Sequence, residues 1–231
     1  MREVVLDTET TGFDPQTGDR IVEIGAVELF NHMPTGGVYH QYINPERAMP
    51  EDAFAVHGLS DAFLADKPVF ADVAQAFLDF VGDAKMVIHN ASFDMKFLNA
   101  ELGWAKKPRL PVDQAIDTLE IARKKYPGAQ NSLDALCRRF AVDNSAREKH
   151  GALLDSELLA EVYLELVGGR QPDFGLAGNN QQTETNNTDD IWRHGPRPKP
   201  LPPRLSAAER ANHKVFVENM GENAVWRRFQ E

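Results

Sequence analysis

The chain is short of several things, and each shortage narrows what it can be. It holds one cysteine in 231 residues, Cys137, so an internal disulfide and a cysteine-rich zinc site are both excluded. Cys137 falls in a predicted helix over residues 132–140 and reads as core filler. No apolar run is long enough to cross a membrane. Arg2 and Glu3 precede only a short apolar stretch, unlike a secretory signal. A reducing cytoplasm is the expected compartment. Basic residues are scarce: 25 Lys and Arg stand against 35 Asp and Glu, a net charge of -10. The excess acid lies in residues 1–169, and the remainder is nearly neutral. So acidic a body is poorly suited to gripping long duplex nucleic acid by neutralising phosphates. It remains suited to acting on one strand end at a metal site, delivered there by a partner. The chain has no internal repeat.

What is present centres on Val4-Val5-Leu6-Asp7-Thr8-Glu9-Thr10-Thr11-Gly12. The apolar start suits a buried strand, and side chains two apart on a strand share a face. Asp7 and Glu9 therefore project side by side, and Gly12 releases the chain into a turn. Two carboxylates so close repel unless a cation lies between them. Mg²⁺ or Mn²⁺ is the natural choice for oxygen ligands. Taken alone, the stretch fits an edge strand ending in two solvated acids equally well, so the metal reading needs more ligands.

The first predicted strand covers residues 2–7. A turn at residues 14–19 leads to an extended segment at 21–29. A second turn at Pro34-Thr35-Gly36-Gly37 leads to another at 38–43, completing an antiparallel meander. The period then changes. Residues 69–81 carry apolar side chains at helical spacing, and 86–89 form a short buried strand. Ser92 is placed to cap a helix through Leu102, and residues 113–117 form a last short strand. Helices follow at 118–125, 132–140 and 151–167. The expected fold is α/β, a mixed five-stranded sheet flanked by helices. Residues 1–169 form this domain. Residues 170–205 read as a flexible linker, with a Pro-rich run at 196–203 that favours extended backbone. In the tail, 206–231, Ser206-Ala207-Ala208-Glu209 is a capping box opening a helix to about Met220. Val215, Phe216, Trp226 and Phe229 give this tail apolar anchors suited to a partner; folding back on its own domain is the alternative.

Further acids occupy promising places. Asn90-Ala91-Ser92-Phe93-Asp94 lies where a strand meets a helix, the strand-end position at which open α/β sheets bind ligands. Asp94 could equally serve the helix dipole there. Asp155, in His150-Gly151-Ala152-Leu153-Leu154-Asp155, sits among leucines in a helix, where an acid is costly unless paired or metal-bound; a place on the polar stripe is the alternative. On a regular helix His150 would lie about 140° around from Asp155. Sharing a site therefore requires His150 to sit on the loop entering the helix.

These three segments, in this order and spacing, resemble the three motifs of the DEDDh 3′→5′ exonuclease superfamily. Over residues 1–169 the resemblance is greatest to the epsilon family, the proofreading subunits of bacterial DNA polymerase III. It implies a ribonuclease H-like fold and removal of nucleotides from a DNA primer 3′ end with two Mg²⁺ or Mn²⁺ ions. By position, it implies that Asp7, Glu9 and Asp155 hold the first ion. Asp7 bridges to the second, with Asp94 supporting it directly or through water, and His150 is the general base. Chemistry agrees, since paired ions about 3.5–4 Å apart stabilise attacking and leaving oxygens and histidine titrates near neutrality. Asp52-Ala53-Phe54-Ala55-Val56-His57-Gly58 matches a family segment that contacts the terminal nucleotide. His57 aligns with a substrate-contacting histidine, and Asp52 stands where the family often has Glu. Thr8 and Thr10 flank the ligands and offer contacts to the nucleotide, unless they serve only β propensity.

The resemblance also implies partners. The tail, with Val215, Phe216, Trp226 and Phe229, corresponds to the segment that binds the polymerase alpha subunit. Gln171-Pro172-Asp173-Phe174-Gly175-Leu176 resembles a weak motif for the sliding clamp, beta, through Gln171, Phe174 and Leu176; Pro172 departs from it. A small accessory subunit is left open. Two other readings also stay open: a freestanding DEDDh nuclease trimming RNA or oligonucleotide ends, and a non-catalytic bridge between polymerase and clamp.

Overall fold

A computed structural model describes residues 1–145, 147, 149–168 and 206–220. Five strands, β1 (Arg2–Thr10), β2 (Ile21–Phe30), β3 (Met33–Tyr42), β4 (Lys85–Ile88) and β5 (Ala115–Asp117), form one sheet in the order β3-β2-β1-β4-β5. The β1–β2 and β2–β3 pairs are antiparallel, and β1–β4 and β4–β5 are parallel. The sheet is thus mixed and five-stranded, as expected, with β1 at its centre.

The β2–β3 connection is tighter than the sequence suggested. The turn is Asn31-His32, both at positive φ, and Phe30 pairs directly with Met33. Residues 34–37 are strand, and the register shifts opposite them between Val27 and Leu29. Two consecutive left-handed residues match the strand twist of a hairpin, and Asn31 tolerates that conformation. The conspicuous Pro-Thr-Gly-Gly run serves a bulged edge strand instead.

Helices cover both faces. α1 (Glu51–His57) and α2 (Asp61–Leu64) lie between β3 and α3 (Phe70–Val81), and neither short helix was anticipated. α4 (Ala91–Trp104) follows β4; α5 (Thr118–Lys125), α6 (Leu133–Phe140) and α7 (Ala152–Leu166) follow β5. The strand alternation of β1 sorts its side chains between them. Val4 and Leu6 pack with Phe77 of α3 and Phe97 and Leu98 of α4. Val5 packs on the opposite face with Leu159 and Tyr163 of α7. Helix α4 starts at Ala91 rather than from a Ser92 cap. Its cap residue is Asn90, in the left-handed conformation with no side-chain cap bond. Asp117 accepts the Asn90 N–H at 3.1 Å instead, while capping α5.

The chain divides into two units, Met1–Ala177 and Gly178–Glu231. In the second, α8 (Ala207–Asn219) opens with the anticipated capping box of Ser206 and Glu209, and Val215 and Phe216 are exposed. Trp226, Phe229 and the segment 171–176 lie outside the described residues. No helix among the described residues is long and apolar enough to cross a membrane.

Candidate active site

Asp7 and Glu9 leave β1 on the Val5 side, toward α7. That helix comes unusually close to the sheet because Gly25, the β2 residue opposite Asp7, has no side chain. A Cβ there would lie 2.1 Å from the Leu153 nitrogen. Ser156 locks the contact by donating its hydroxyl to the Gly25 carbonyl at 2.8 Å. Asp155, the preceding residue, is thereby delivered buried to the end of β1. His150 stands just ahead of α7 on the entering loop, as the helical geometry required. Gly151 is extended there, with φ -156, so any residue would serve. The His150 N–H reaches the Val56 carbonyl at 3.3 Å, tying this loop to α1.

Asp94 arrives from the other face. It lies buried in the first turn of α4, and Thr8, which shares the Leu6 side of β1, donates its hydroxyl to Asp94 Oδ1 at 2.7 Å. Thr8 is therefore more than a strand former, and its hydroxyl is turned to Asp94 rather than into open space.

Crowding and burial set the electrostatics. Burial foremost, then Asp94, Glu9 and Asp155, push the Asp7 carboxyl well above its ordinary value. Glu9 is raised to about 8, first by burial and then by Asp155 and Glu23. Glu23 is its cross-strand neighbour on β2. Asp94 is raised to about 7 by burial, with the Thr8 hydroxyl bond opposing. Such a set of buried acids, resisting ionisation until a cation arrives, is what a divalent metal site looks like from its ligands. Among the described residues, Glu9, His150 and Asp155 have ligand atoms all within 4.8 Å of one another. The donor set fits a divalent ion. Asp7 and Asp94 fall outside that tight group, so the expected Asp7–Glu9–Asp155 grouping is not closed in this arrangement.

One residue was missed by the sequence reading altogether. Arg147 directs Nε to Asp155 Oδ1 at 2.6 Å and Nη2 to Asp155 Oδ2 at 2.7 Å. Its Nη1 donates to Asp134 Oδ1 at 2.7 Å, and Nη2 lies 2.7 Å from His150 Nδ1. Burial works to raise Asp155, but His150 and Arg147 together hold it below its ordinary value. The only sequence signal was a lone arginine three residues before His150 in an acid-rich domain.

Two cavities open from the cluster. One, of about 740 Å³, is lined by Asp7, Asp94, Asp155, His150 and Arg147 and extends past Arg123. The other, of about 650 Å³, is lined by Thr8, Thr10, Phe13, Asp52, His57 and Phe93. Of the residues expected to contact substrate, Asp7, Thr8, Glu9, Thr10, Asp52, His57 and Asp155, this cavity gathers Thr8, Glu9, Thr10, Asp52 and His57. His57 accepts the Leu59 N–H on Nδ1 at 3.0 Å, which leaves the proton on Nε2. That nitrogen is buried without a hydrogen-bond partner among the described residues. Burial first, opposed by the Thr10 backbone and aided by the charges of Lys149 and His150, lowers the His57 pKa.

Comparison with known proteins agrees with this geometry. A family model described as exonuclease, RNase_T, matches residues 4–163. The DNA polymerase III subunit epsilon of Rickettsia felis is 56% identical over 190 residues, covering 81% of this chain and 82% of that protein. The chain belongs to the DNA polymerase III epsilon-subunit family of exonucleases. It is a 3′→5′ exonuclease of the proofreading kind. The Salmonella typhimurium subunit epsilon is 44% identical over 238 residues, 98% of this chain and 97% of that protein. In structure, the nuclease domain of 3′hExo, a DEDDh family member bound to rAMP, shares the fold with a TM-score of 0.63. It covers 72% of this chain and 91% of its own at 20% identity. The ribonuclease H-like exonuclease fold expected from the motifs is therefore the fold present. Divalent metal use goes with the family.

Proposed function

We propose that the proofreading reaction takes place at the cluster formed by β1, α4 and α7, on the 3′ end of a DNA primer. The observation that carries this reading is the convergence of Asp7, Glu9, Asp94 and Asp155 with His150 at one strand end, from three distant stretches of chain. Asp7, Glu9, Asp94 and Asp155 would hold two divalent ions, Mg²⁺ or Mn²⁺. Bound there, such ions supply charge stabilisation to the attacking and leaving oxygens of phosphodiester hydrolysis.

The chain's own groups do the rest. His150, half-exposed at the rim, takes the proton of the attacking water. Thr8 holds Asp94 in place through its hydroxyl. The second cavity receives the terminal nucleotide: His57 donates its unpartnered Nε2–H, and Thr8, Thr10 and Asp52 line the wall. A mispaired end enters more readily because less pairing must be broken to free it.

The family relatives are named as subunits of DNA polymerase III, and the Salmonella likeness runs through nearly the whole chain. This supports assigning the tail, with Val215, Phe216, Trp226 and Phe229, to the alpha subunit. Gln171, Phe174 and Leu176 are assigned to the sliding clamp. A small accessory subunit and a bacterial cytoplasmic location belong to the same reading.

The test is Mg²⁺-dependent degradation of a 5′-labelled primer with a 3′ mismatch. Wild type should produce a ladder shortening from the 3′ end. Asp7→Ala should abolish it, and His150→Ala should slow it by about 10²–10⁴-fold. RNA degraded in place of DNA would replace this reading with an RNA-trimming nuclease. Inactivity on both by folded protein would leave the polymerase–clamp bridge.

A further inference from the structure

The guanidinium of Arg147 lies where a cation among these acids is most needed. Its side chain is only 8% exposed, and it sets Nε and Nη2 on the two Asp155 oxygens at 2.6 and 2.7 Å. A buried carboxylate with both oxygens bound edge-on to a guanidinium is a strong, two-pronged ion pair. An ion that takes either Asp155 oxygen must share that oxygen with an Arg147 bond and sit beside the guanidinium charge, so the two cations compete for the carboxylate. The same guanidinium constrains the histidine. Arginine only donates, so the 2.7 Å contact from Nη2 makes His150 Nδ1 an acceptor, in place of a bond from Nδ1 to Asp155 Oδ2, which lies farther off at 3.4 Å. While it stands, that lone pair is engaged and the ring proton sits on Nε2. Arg147 lies on the connection between α6 and α7, outside any helix or strand. Among the described residues its backbone is tied by its own N–H to the Asn144 carbonyl at 3.0 Å. The side chain can therefore leave without unwinding an element.

We propose that Arg147 is an internal counter-cation of the acid cluster, which a divalent ion displaces from Asp155 and which releases His150 Nδ1 as it goes. Metal binding and readiness of the base are thereby coupled through one side chain. The proposal deepens the two-ion reading given above and rests on it. Arg147 is a positioning residue in this scheme, acting through Asp155 and His150. Because guanidinium and metal compete for the same oxygens, the apparent metal affinity equals the intrinsic one multiplied by the fraction of molecules in which Arg147 is already displaced. Removing the competitor should tighten metal binding, whereas damage to the fold should weaken it.

The experiment is a Mn²⁺ titration of the full chain, with free Mn²⁺ read by electron paramagnetic resonance and no substrate present. Arg147→Gln should bind Mn²⁺ about tenfold more tightly than wild type, equivalent to about 1.4 kcal/mol. Arg147→Lys, which keeps the charge but loses the two-pronged contact, should fall between. Arg123→Gln removes a positive charge lining the same cleft and should leave the affinity unchanged; an equal gain there would reduce Arg147 to a general field effect and overturn the proposal. Amide exchange around Asn144 and His150 should change on adding Mn²⁺ to wild type and much less so in Arg147→Gln. Unchanged or weaker Mn²⁺ binding by folded Arg147→Gln would also overturn it. If wild type itself binds no Mn²⁺, or Asp155→Asn leaves binding untouched, the two-ion reading fails and the competition falls with it. That outcome is distinguishable because it shows before any arginine variant is compared.

Discussion

At the scale of single residues, Asp7, Glu9 and Asp94 are kept protonated above their ordinary range, and burial is the leading cause in each. A carboxyl with a raised folded pKa binds protons in the native chain that the unfolded chain gives up. Its stabilising contribution is complete below the unfolded value and is lost as pH rises through the folded one. For Glu9 that window runs from 4.5 to about 8. In EDTA, Glu9→Gln should therefore match wild type in melting temperature near pH 4 and exceed it at pH 9, and Mg²⁺ should narrow the gap by stabilising wild type. Thermal unfolding at the two pH values checks this. Thr8→Val keeps the shape but removes the hydroxyl from Asp94. Because that bond lowers the Asp94 pKa, its loss should raise it further. Stability should fall by about 1.5–3 kcal/mol and primer degradation should slow at least tenfold, measured by urea unfolding and the ladder assay. The carboxylates themselves were legible in the sequence because their spacing is regular. Thr8 was visible only as a flanking residue, since its partner lies 86 positions away.

At the scale of elements, the site depends on how closely α7 approaches β2. Gly25→Ala places a methyl within 2.2 Å of the Ala152 carbonyl carbon, where backbone must move. Overpacking of this kind costs about 1–3 kcal/mol, and it should displace Asp155 enough to remove most exonuclease activity. Gly151→Ala is the contrast. Its backbone is extended and a Cβ meets nothing within 4 Å, so stability should change by less than about 1 kcal/mol. Unfolding curves beside primer assays on both variants separate the two glycines. Helices α5, α6 and α7 were readable along the chain, α7 most plainly from its run of leucines. Helix α1 was not: Glu51–His57 is short, and Ala53, Ala55 and Phe54 are largely outside the core, so it lacks the periodic stripe that marks a helix. Its value lies in carrying Asp52 and His57 to the second cavity.

At the scale of the whole molecule, the nuclease unit should work without its tail. The three motif segments and both cavities lie within the first 155 residues, so a chain ending at residue 168 should retain wild-type degradation of a short primer. It should lose binding to the polymerase alpha subunit, as read by co-elution in gel filtration; full binding by the shortened chain would refute the assignment of the tail. The sequence by itself determined the α/β class, the five strands, the three acid-bearing segments and the family, because apolar period and motif spacing are local properties written along the chain. Only the tertiary structure decided that Arg147 neutralises Asp155, that Glu23 lies across from Glu9 and helps raise it, that Gly25 admits α7, and that His57 keeps an unpartnered nitrogen in the second cavity. Each of these depends on how folding brings separate segments of the chain together. Such meetings are set by sheet register and helix packing, and an arginine, a glutamate or a glycine carries no local mark of the partner it will meet.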